Sequence, residues 1–221
     1  DGGLWLATRY APGHLLRLDA EGSLVRDLRF VGDAPGRTWA PSGVAVGTGP
    51  DGRREVFVAD AAVDRIVRFD WDGAFEAEAL TGLGGAPLAR PRHIAAAADG
   101  TFWVAEEGNS RVVRFDRELR ALGAVAGGAA DGEALVAPYG VAIAPDGSLR
   151  VTDAQRNRVW SARSDGTLVR TWSDGGGPPG TRLLAPRGLA FAADGTLWIA
   201  DALRERVVAF GAVPDAGWHV Q

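Results

Sequence analysis

The 221-residue chain contains no cysteine, no methionine and no lysine. Without cysteine there is no disulfide framework, no thiolate metal site and no cysteine nucleophile. Every basic residue is arginine, and with the abundant alanine and glycine this has the look of a GC-rich coding bias. The missing methionine leads to the expectation that the chain starts after processing or inside a longer product. On that expectation it is the sensor part of an exported or membrane-anchored protein, with an extracytoplasmic location. No apolar run approaches the roughly 20 residues needed to span a bilayer, so direct membrane insertion is not expected. A net charge of −4 and a pI of about 5.4 provide no basic field, which argues against nucleic acid as a partner. Helical periodicity is missing throughout, and with it any helix-bundle reading.

What the chain has is repetition. "PSGVAVGTGPDGRREVFVADAAVDRIVRF" begins at Pro41, "PRHIAAAADGTFWVAEEGNSRVVRF" at Pro91, "PYGVAIAPDGSLRVTDAQRNRVW" at Pro138 and "PRGLAFAADGTLWIADALRERVVAF" at Pro186. The spacings are 50, 47 and 48 residues, and a fixed period of this size marks a repeat architecture. Each unit opens with a Pro and an alternating run, then an Asp-Gly pair of the kind that makes hairpin turns. A strand rich in β-branched and aromatic residues follows ("VFVAD", "TFWVAE", "LRVTD", "LWIAD"), then a polar turn, a third strand and a fourth. Four short antiparallel strands per repeat make a propeller blade. Residues 1–40 are a degraded unit in which "GGLWLATRY", "HLLRLDAEG" and "SLVRDLRFVG" match the second, third and fourth strands. The expected fold is therefore all-β: one β-propeller domain over residues 1–221 with five recognisable four-stranded blades. The units fall at about 1–40, 41–90, 91–137, 138–185 and 186–221. About nineteen strands can be counted where five blades need twenty, so either a five-bladed ring closes imperfectly or this is a segment of a larger, six-bladed ring. The tail "GWHVQ" is expected to pair beside Leu4–Ala7 as an inner latch strand. The alternative places it outside Val207–Phe210.

Three further regularities concern side chains. Each complete unit sets an acid at the end of its second strand five residues before an arginine: Asp60 and Arg65, Glu106 and Arg111, Asp153 and Arg158, Asp201 and Arg206. A recurrent carboxylate and guanidinium at this spacing fit a structural turn pair, because a catalytic residue is needed only once. The second strand carries Trp5, Phe57, Trp103 and Trp198, flat groups suited to packing blade on blade. Arg150 interrupts that series, either as an edge residue with a solvated head or as an anion site. Long Gly/Pro loops precede each opening Pro, and loops of this kind carry function more often than their scaffold. "GGGPPG" at 175–180 lacks the Lys and helix of a phosphate loop. The acids in these loops (Asp33, Asp131, Glu133 and Asp174) count against RNA.

The order Pro-x-Gly-hydrophobic, Asp-Gly, hydrophobic-Ala-Asp, then Asn-x-Arg-Val-hydrophobic-x-Phe resembles the NHL repeat, best matched at 104–116 and 186–210. The resemblance implies a propeller and leaves function open, since such propellers serve unrelated purposes. In the amidating-lyase branch, zinc-binding histidines follow the opening Pro. The matching positions here are Ser42, Arg92, Tyr139 and Arg187, and His93 stands one residue further on. The other histidines are His14, expected on a turn at the far side of a blade, and His219. Calcium-dependent lactonases and streptogramin-type lyases resemble the chain only in the "DG-x-hydrophobic-W" strand. No catalytic residues, cofactor or metal are therefore expected. Ser42, Arg92, His93, Tyr139 and Arg187 are expected to line the channel mouth as a polar cup for a protein, a peptide or a small anionic ligand. The function this supports is a non-catalytic recognition or scaffold domain. The alternative is a metal-dependent lyase or hydrolase in the central channel, using Zn or Ca.

Overall fold

The computed structural model describes residues 3–8, 13–29, 39–126, 134–173, 182–213 and 217–220. It is all-β, with nineteen strands among the described residues, the number counted from the sequence. Blade 1 holds β1 (Leu4–Thr8), β2 (His14–Leu18) and β3 (Leu24–Leu28). Blade 2 holds β4 (Pro41–Thr48), β5 (Arg54–Asp60), β6 (Arg65–Asp70) and β7 (Phe75–Ala79). Blade 3 holds β8 (Pro91–Ala96), β9 (Phe102–Glu106), β10 (Arg111–Phe115) and β11 (Ala121–Val125). Blade 4 holds β12 (Pro138–Ile143), β13 (Leu149–Asp153), β14 (Arg158–Ala162) and β15 (Leu168–Trp172). Blade 5 holds β16 (Pro186–Phe191), β17 (Leu197–Asp201), β18 (Arg206–Val213) and β19 (Gly217–Val220). Within each sheet the strands lie in sequence order.

The repeated sequence marks explain the local geometry. The Pro-x-Gly openings break the ladder: register shifts fall between Pro41 and Gly43, Pro138 and Val141, and Pro186 and Leu189. Pro has no N–H to donate, so it sits at the start of an inner strand beside a bulge. The Asp-Gly turns place glycine at positive φ, as at Gly147 (φ 81°). Ala144 N donates to Ser148 O at 2.8 Å, and Asp146 Oδ1 accepts from Ser148 N at 2.9 Å. The loop is thus longer than a two-residue turn, with the aspartate side chain replacing a backbone acceptor.

The tail corrects one expectation. Trp218–Val220 does not pair beside Leu4–Ala7; β19 is antiparallel to β18, with Phe210 opposite Val220 and Val213 opposite Gly217. Only three residues separate the two strands, so this pairing costs little loop-closure entropy, whereas a latch would close a loop of the whole chain. Blade 1 accordingly has three strands, with β1 at its edge.

The chain divides into two compact units, residues 1–104 with 113–123, and residues 105–112 with 124–221. In the first unit, Phe57 stacks on Phe102 at 4.4 Å between centroids and Phe102 on Phe115 at 5.4 Å. Trp5 and Trp39 pack with Val56, Val58, Val67 and Phe69 in a second cluster. In the second unit, Val159, Leu183, Leu189, Leu197, Ile199 and Phe210 form the core. The aromatic second-strand positions Trp5, Phe57 and Trp103 are buried as expected, but Trp198 is 46% exposed.

Candidate functional site

The acid–arginine pairs are built by the hairpin between second and third strands. Asp60 stands opposite Arg65 in register, Asp153 opposite Arg158 and Asp201 opposite Arg206. Arg65 Nε donates to Asp60 Oδ2 at 3.0 Å, Arg111 Nε to Glu106 Oε2 at 2.5 Å and Arg206 Nε to Asp201 Oδ2 at 2.8 Å. In blade 4, Arg158 Nη2 donates to Ala134 O at 3.4 Å while its guanidinium lies 5.2 Å from the Trp160 ring.

A second role of these acids was not read from the sequence. Asp60 Oδ1 accepts from Ala40 N at 3.1 Å and from Ala62 N at 3.1 Å. Asp153 accepts from Val136 N at 3.1 Å and Ala137 N at 3.2 Å, and Asp201 from Leu184 N at 2.6 Å. In each case the carboxylate holds the backbone just before the opening Pro of its own blade. The residue preceding the arginine adds a link onward: Asp64 Oδ1 accepts from Arg90 N at 2.6 Å, and Asn157 Oδ1 from Ala185 N at 2.7 Å. Asp64 and Asn157 both have positive φ, a conformation that Asp and Asn tolerate better than most residues. The detectable signal was the placement of Asp or Asn one residue before Arg65 and Arg158.

The predicted channel-mouth residues fall at the starts of inner strands. In the first unit, the Ser42 hydroxyl bonds to Pro91 O at 2.7 Å and Ala59 O at 3.1 Å. Its single proton is directed into the scaffold. Arg92 and His93 are half-buried on β8, and a Cβ at Gly43 would meet Arg92 O at 2.5 Å. In the second unit, Tyr139 is half-buried and Arg187 exposed, with the Arg187 guanidinium 5.2 Å from the centre of the Tyr139 ring. Thr152 plays the part there that Ser42 plays in blade 2. Its Oγ1 donates to Arg187 O at 2.7 Å and accepts from Gly140 N at 2.8 Å. The sequence signal was a threonine where the other second strands carry alanine.

Two residues behave otherwise than expected. Arg150 does not carry a solvated head: it is 9% exposed, its Nη1 donates to Ser148 Oγ at 3.0 Å and Leu149 O at 2.9 Å, and it lies 5.9 Å from the Phe191 ring. The position faces the adjoining inner strand, which excludes water. Burial lowers its pKa from the ordinary arginine value, with Asp146 opposing the shift. His14 is not on a far turn but opens β2, opposite Thr8, in the place that arginine holds in the other blades. Its Nδ1 lies 2.6 Å from Asp27 Oδ1. His14 and Arg29 together hold the Asp27 carboxyl below its usual range.

On the opposite turns of the first unit, Glu55 is buried and bound by both Arg117 Nε at 3.2 Å and Nη2 at 3.0 Å, and Arg68 donates to Arg117 O. Among the described residues no group of three or more His, Asp or Glu stands close enough to hold a metal. Among the described residues no helix is long and apolar enough to cross a membrane. Asp33, Asp131, Glu133, Asp174 and the 175–180 glycines lie outside the described residues, and of the 217–220 segment that carries His219 only the backbone is described.

Repeated antiparallel blades, four of them opened by a Pro-initiated inner strand, define a β-propeller of five blades. No family model and no curated protein matches the chain. Among solved structures it is similar to a catalytically inactive variant of virginiamycin B lyase from Staphylococcus aureus with quinupristin. That match has 18% identity and a TM-score of 0.69, and covers 100% of this chain and 67% of that one. It is also similar to the WD40 β-propeller domain of Doa1, at 15% identity and a TM-score of 0.69 over 98% of this chain and 62% of that one. A protein of unknown function from Bacteroides caccae matches at 14% identity and a TM-score of 0.66, covering 97% and 70%. At such identities the likeness is one of fold, and the chain spans about two thirds of the length of these structures.

Proposed function

We propose that the protein is a non-catalytic recognition propeller that binds an acidic peptide or small anionic ligand on its loop face. The observation that carries this reading is the exposed Arg187, whose guanidinium is held over the half-buried Tyr139 ring at 5.2 Å. A guanidinium fixed by an aromatic face loses less side-chain freedom when it closes on a carboxylate or phosphate, and it presents a bidentate fork. The NHL-like repeat pattern supports the same reading, as does the likeness to a WD40 domain, a fold class that serves as a binding platform. Arg92 and His93, half-buried on β8 of the first unit, are proposed separately as ligand contacts; Ser42 is assigned to holding the strand that carries them. Nucleic acid is not the proposed ligand, because the net charge of −4 gives no electrostatic footprint for it.

The test is titration of a fluorescently labelled glutamate-rich peptide, followed by anisotropy. Arg187→Ala should weaken binding by roughly tenfold or more, the usual cost of a charged hydrogen-bonding anchor. Equal affinity for wild type and variant would remove Arg187 from the reading.

A metal-dependent lyase or hydrolase is the competing reading, and the likeness to virginiamycin B lyase is what favours it. It requires stoichiometric Zn or Ca that survives dialysis in elemental analysis.

A further inference from the structure

Arg150 heads a row of side chains in the second unit that the channel-mouth reading does not use. In blade 4, Arg150 stands opposite Ser161 on β14, and Ser161 stands opposite Arg170 on β15. Residues opposite one another in a ladder share a face, with Cβ atoms about 5 Å apart. Two guanidiniums thus flank one hydroxyl, and the row holds no carboxylate. Arg150 is 9% and Ser161 5% exposed, while Arg170 is open to solvent. The row is set apart from the Arg187 and Tyr139 pair: Arg150 lies opposite Ala142, near the end of β12, and Tyr139 lies near its start.

The same row in other blades carries one arginine, and a carboxylate meets it. In blade 2 it reads Phe57, Arg68 and Ala77, with Glu76 3.0 Å and Glu55 3.8 Å from Arg68 Nε. In blade 3, Arg114 holds the Arg68 place and donates to Asp99 at 2.7 Å. In blade 4 the opposing charge comes from Asp146, outside the row, whose Oδ1 already accepts from Ser148 N at 2.9 Å and Ser148 Oγ at 2.6 Å. The Arg170 charge and burial both act against the charged form of Arg150. An anion between two like charges relieves that repulsion. The hydroxyl in the middle is set to donate to one. Ser161 Oγ accepts from Trp172 Nε1 at 3.1 Å, and the Trp172 ring is held edge-on to Phe210 at 4.9 Å. The Ser161 proton therefore points away from Trp172, and no described residue accepts it. Nor does any described residue accept a bond from the Arg170 guanidinium. Phe191, 5.9 Å from the Arg150 guanidinium, supplies an apolar wall beside these groups.

We propose that Arg150, Ser161 and Arg170 form a binding site for a phosphate group, in which Ser161 and Arg170 donate hydrogen bonds and Arg150 contributes buried positive charge. A planar carboxylate offers two oxygens and one charge, which a single guanidinium fork satisfies. A tetrahedral phosphate offers oxygens in several directions and up to two charges. That matches a hydroxyl and a guanidinium on neighbouring strands with a second cation beside them. The phosphate is either the free anion or the head of a small monoester.

Calorimetric titration of the 221-residue protein with inorganic phosphate, phenyl phosphate and acetate, at constant ionic strength, tests this. Wild type should bind both phosphates, and acetate at least about tenfold more weakly, the cost of unmet charged hydrogen bonds. The tighter of the two phosphates tells whether the free anion or a monoester is the ligand, and either order supports the site. Arg170→Gln, at an exposed position, and Ser161→Ala should each weaken phosphate binding by about tenfold. Arg150→Phe, which installs the aromatic that blade 2 carries at this place, should weaken it at least as much. Phosphate should also raise the urea midpoint of wild type and leave that of Arg170→Gln unmoved, because a ligand of the folded state alone stabilises it. Arg170→Gln should leave the glutamate-rich peptide titration unchanged, so the two sites are read separately. A wild type that binds no phosphate overturns the proposal. So does phosphate binding that Arg170→Gln and Ser161→Ala leave intact, or acetate binding as tight as phosphate.

Discussion

Asp60→Ala tests the role of the recurrent acids most directly. The Asp60 carboxylate is fully buried and accepts three hydrogen bonds, from Arg65 Nε at 3.0 Å, Ala40 N at 3.1 Å and Ala62 N at 3.1 Å. Its partner Arg65 is also buried, at 1% exposure. Truncation leaves a buried guanidinium without one of its two counter-charges and removes the acceptor of two backbone N–H groups. Breaking a buried pair from one side costs about 3–5 kcal/mol, and an orphaned N–H about 1–3 kcal/mol. These terms overlap, and Glu78, 2.7 Å from Arg65 Nη1, continues to neutralise part of the charge. A total loss of about 3–4 kcal/mol follows. Asp201→Ala is the internal control. The Arg206 side chain is 34% exposed, so water can solvate the released head and the loss should be about 1–2 kcal/mol. Urea unfolding monitored by tryptophan fluorescence and far-UV circular dichroism gives both values, provided that the two probes coincide. If Asp60→Ala costs under about 1 kcal/mol, or no more than Asp201→Ala, the carboxylate is not holding the blade opening as argued.

Gly140→Ala should destabilise by about 1–3 kcal/mol by urea unfolding, since the new methyl meets Arg187 O and Leu189, whereas Gly188→Ala should be near neutral. Phe57→Ala should cost about 3–5 kcal/mol in the same assay, through loss of its stack on Phe102. Arg158→Ala should lower stability by about 1–3 kcal/mol while leaving peptide binding intact; lost binding with unchanged unfolding would make it a ligand residue. Acid should destabilise through the turn aspartates. Hydrogen bonds from Ser148 lower the Asp146 carboxyl, and those from the Thr167 and Thr196 backbones lead in lowering Asp165 and Asp194. Because these groups are depressed in the folded state, the unfolded chain binds more protons. Their contribution is whole above pH about 4 and is lost as pH falls through the folded values. The urea midpoint should therefore hold steady near neutrality and fall below pH about 4, and Asp146→Asn should reduce that fall.

The sequence by itself determined the repeat, the count of about nineteen strands and the turns marked by Asp-Gly, because period, Pro-x-Gly and Asp-Gly are local signals. Hairpins form between neighbours in sequence, so Asp60 and Arg65 could be paired from spacing alone. The other half of that carboxylate's work, on the Ala40 backbone twenty residues earlier, depends on where an interblade loop returns. Period alone says nothing about that. The same limit explains the tail: "GWHV" reads as an inner strand by composition, but pairing is decided by which edge lies within reach, and three residues of linker put β18 nearest. Arg150 could be flagged as an interruption, yet only the adjoining strand with Phe191 makes its position dry. Trp198 and Phe57 occupy the same place in the repeat and differ only in what lies against them. One is stacked on Phe102 and the other is nearly half exposed, a difference that belongs to neighbouring blades and is written in neither residue.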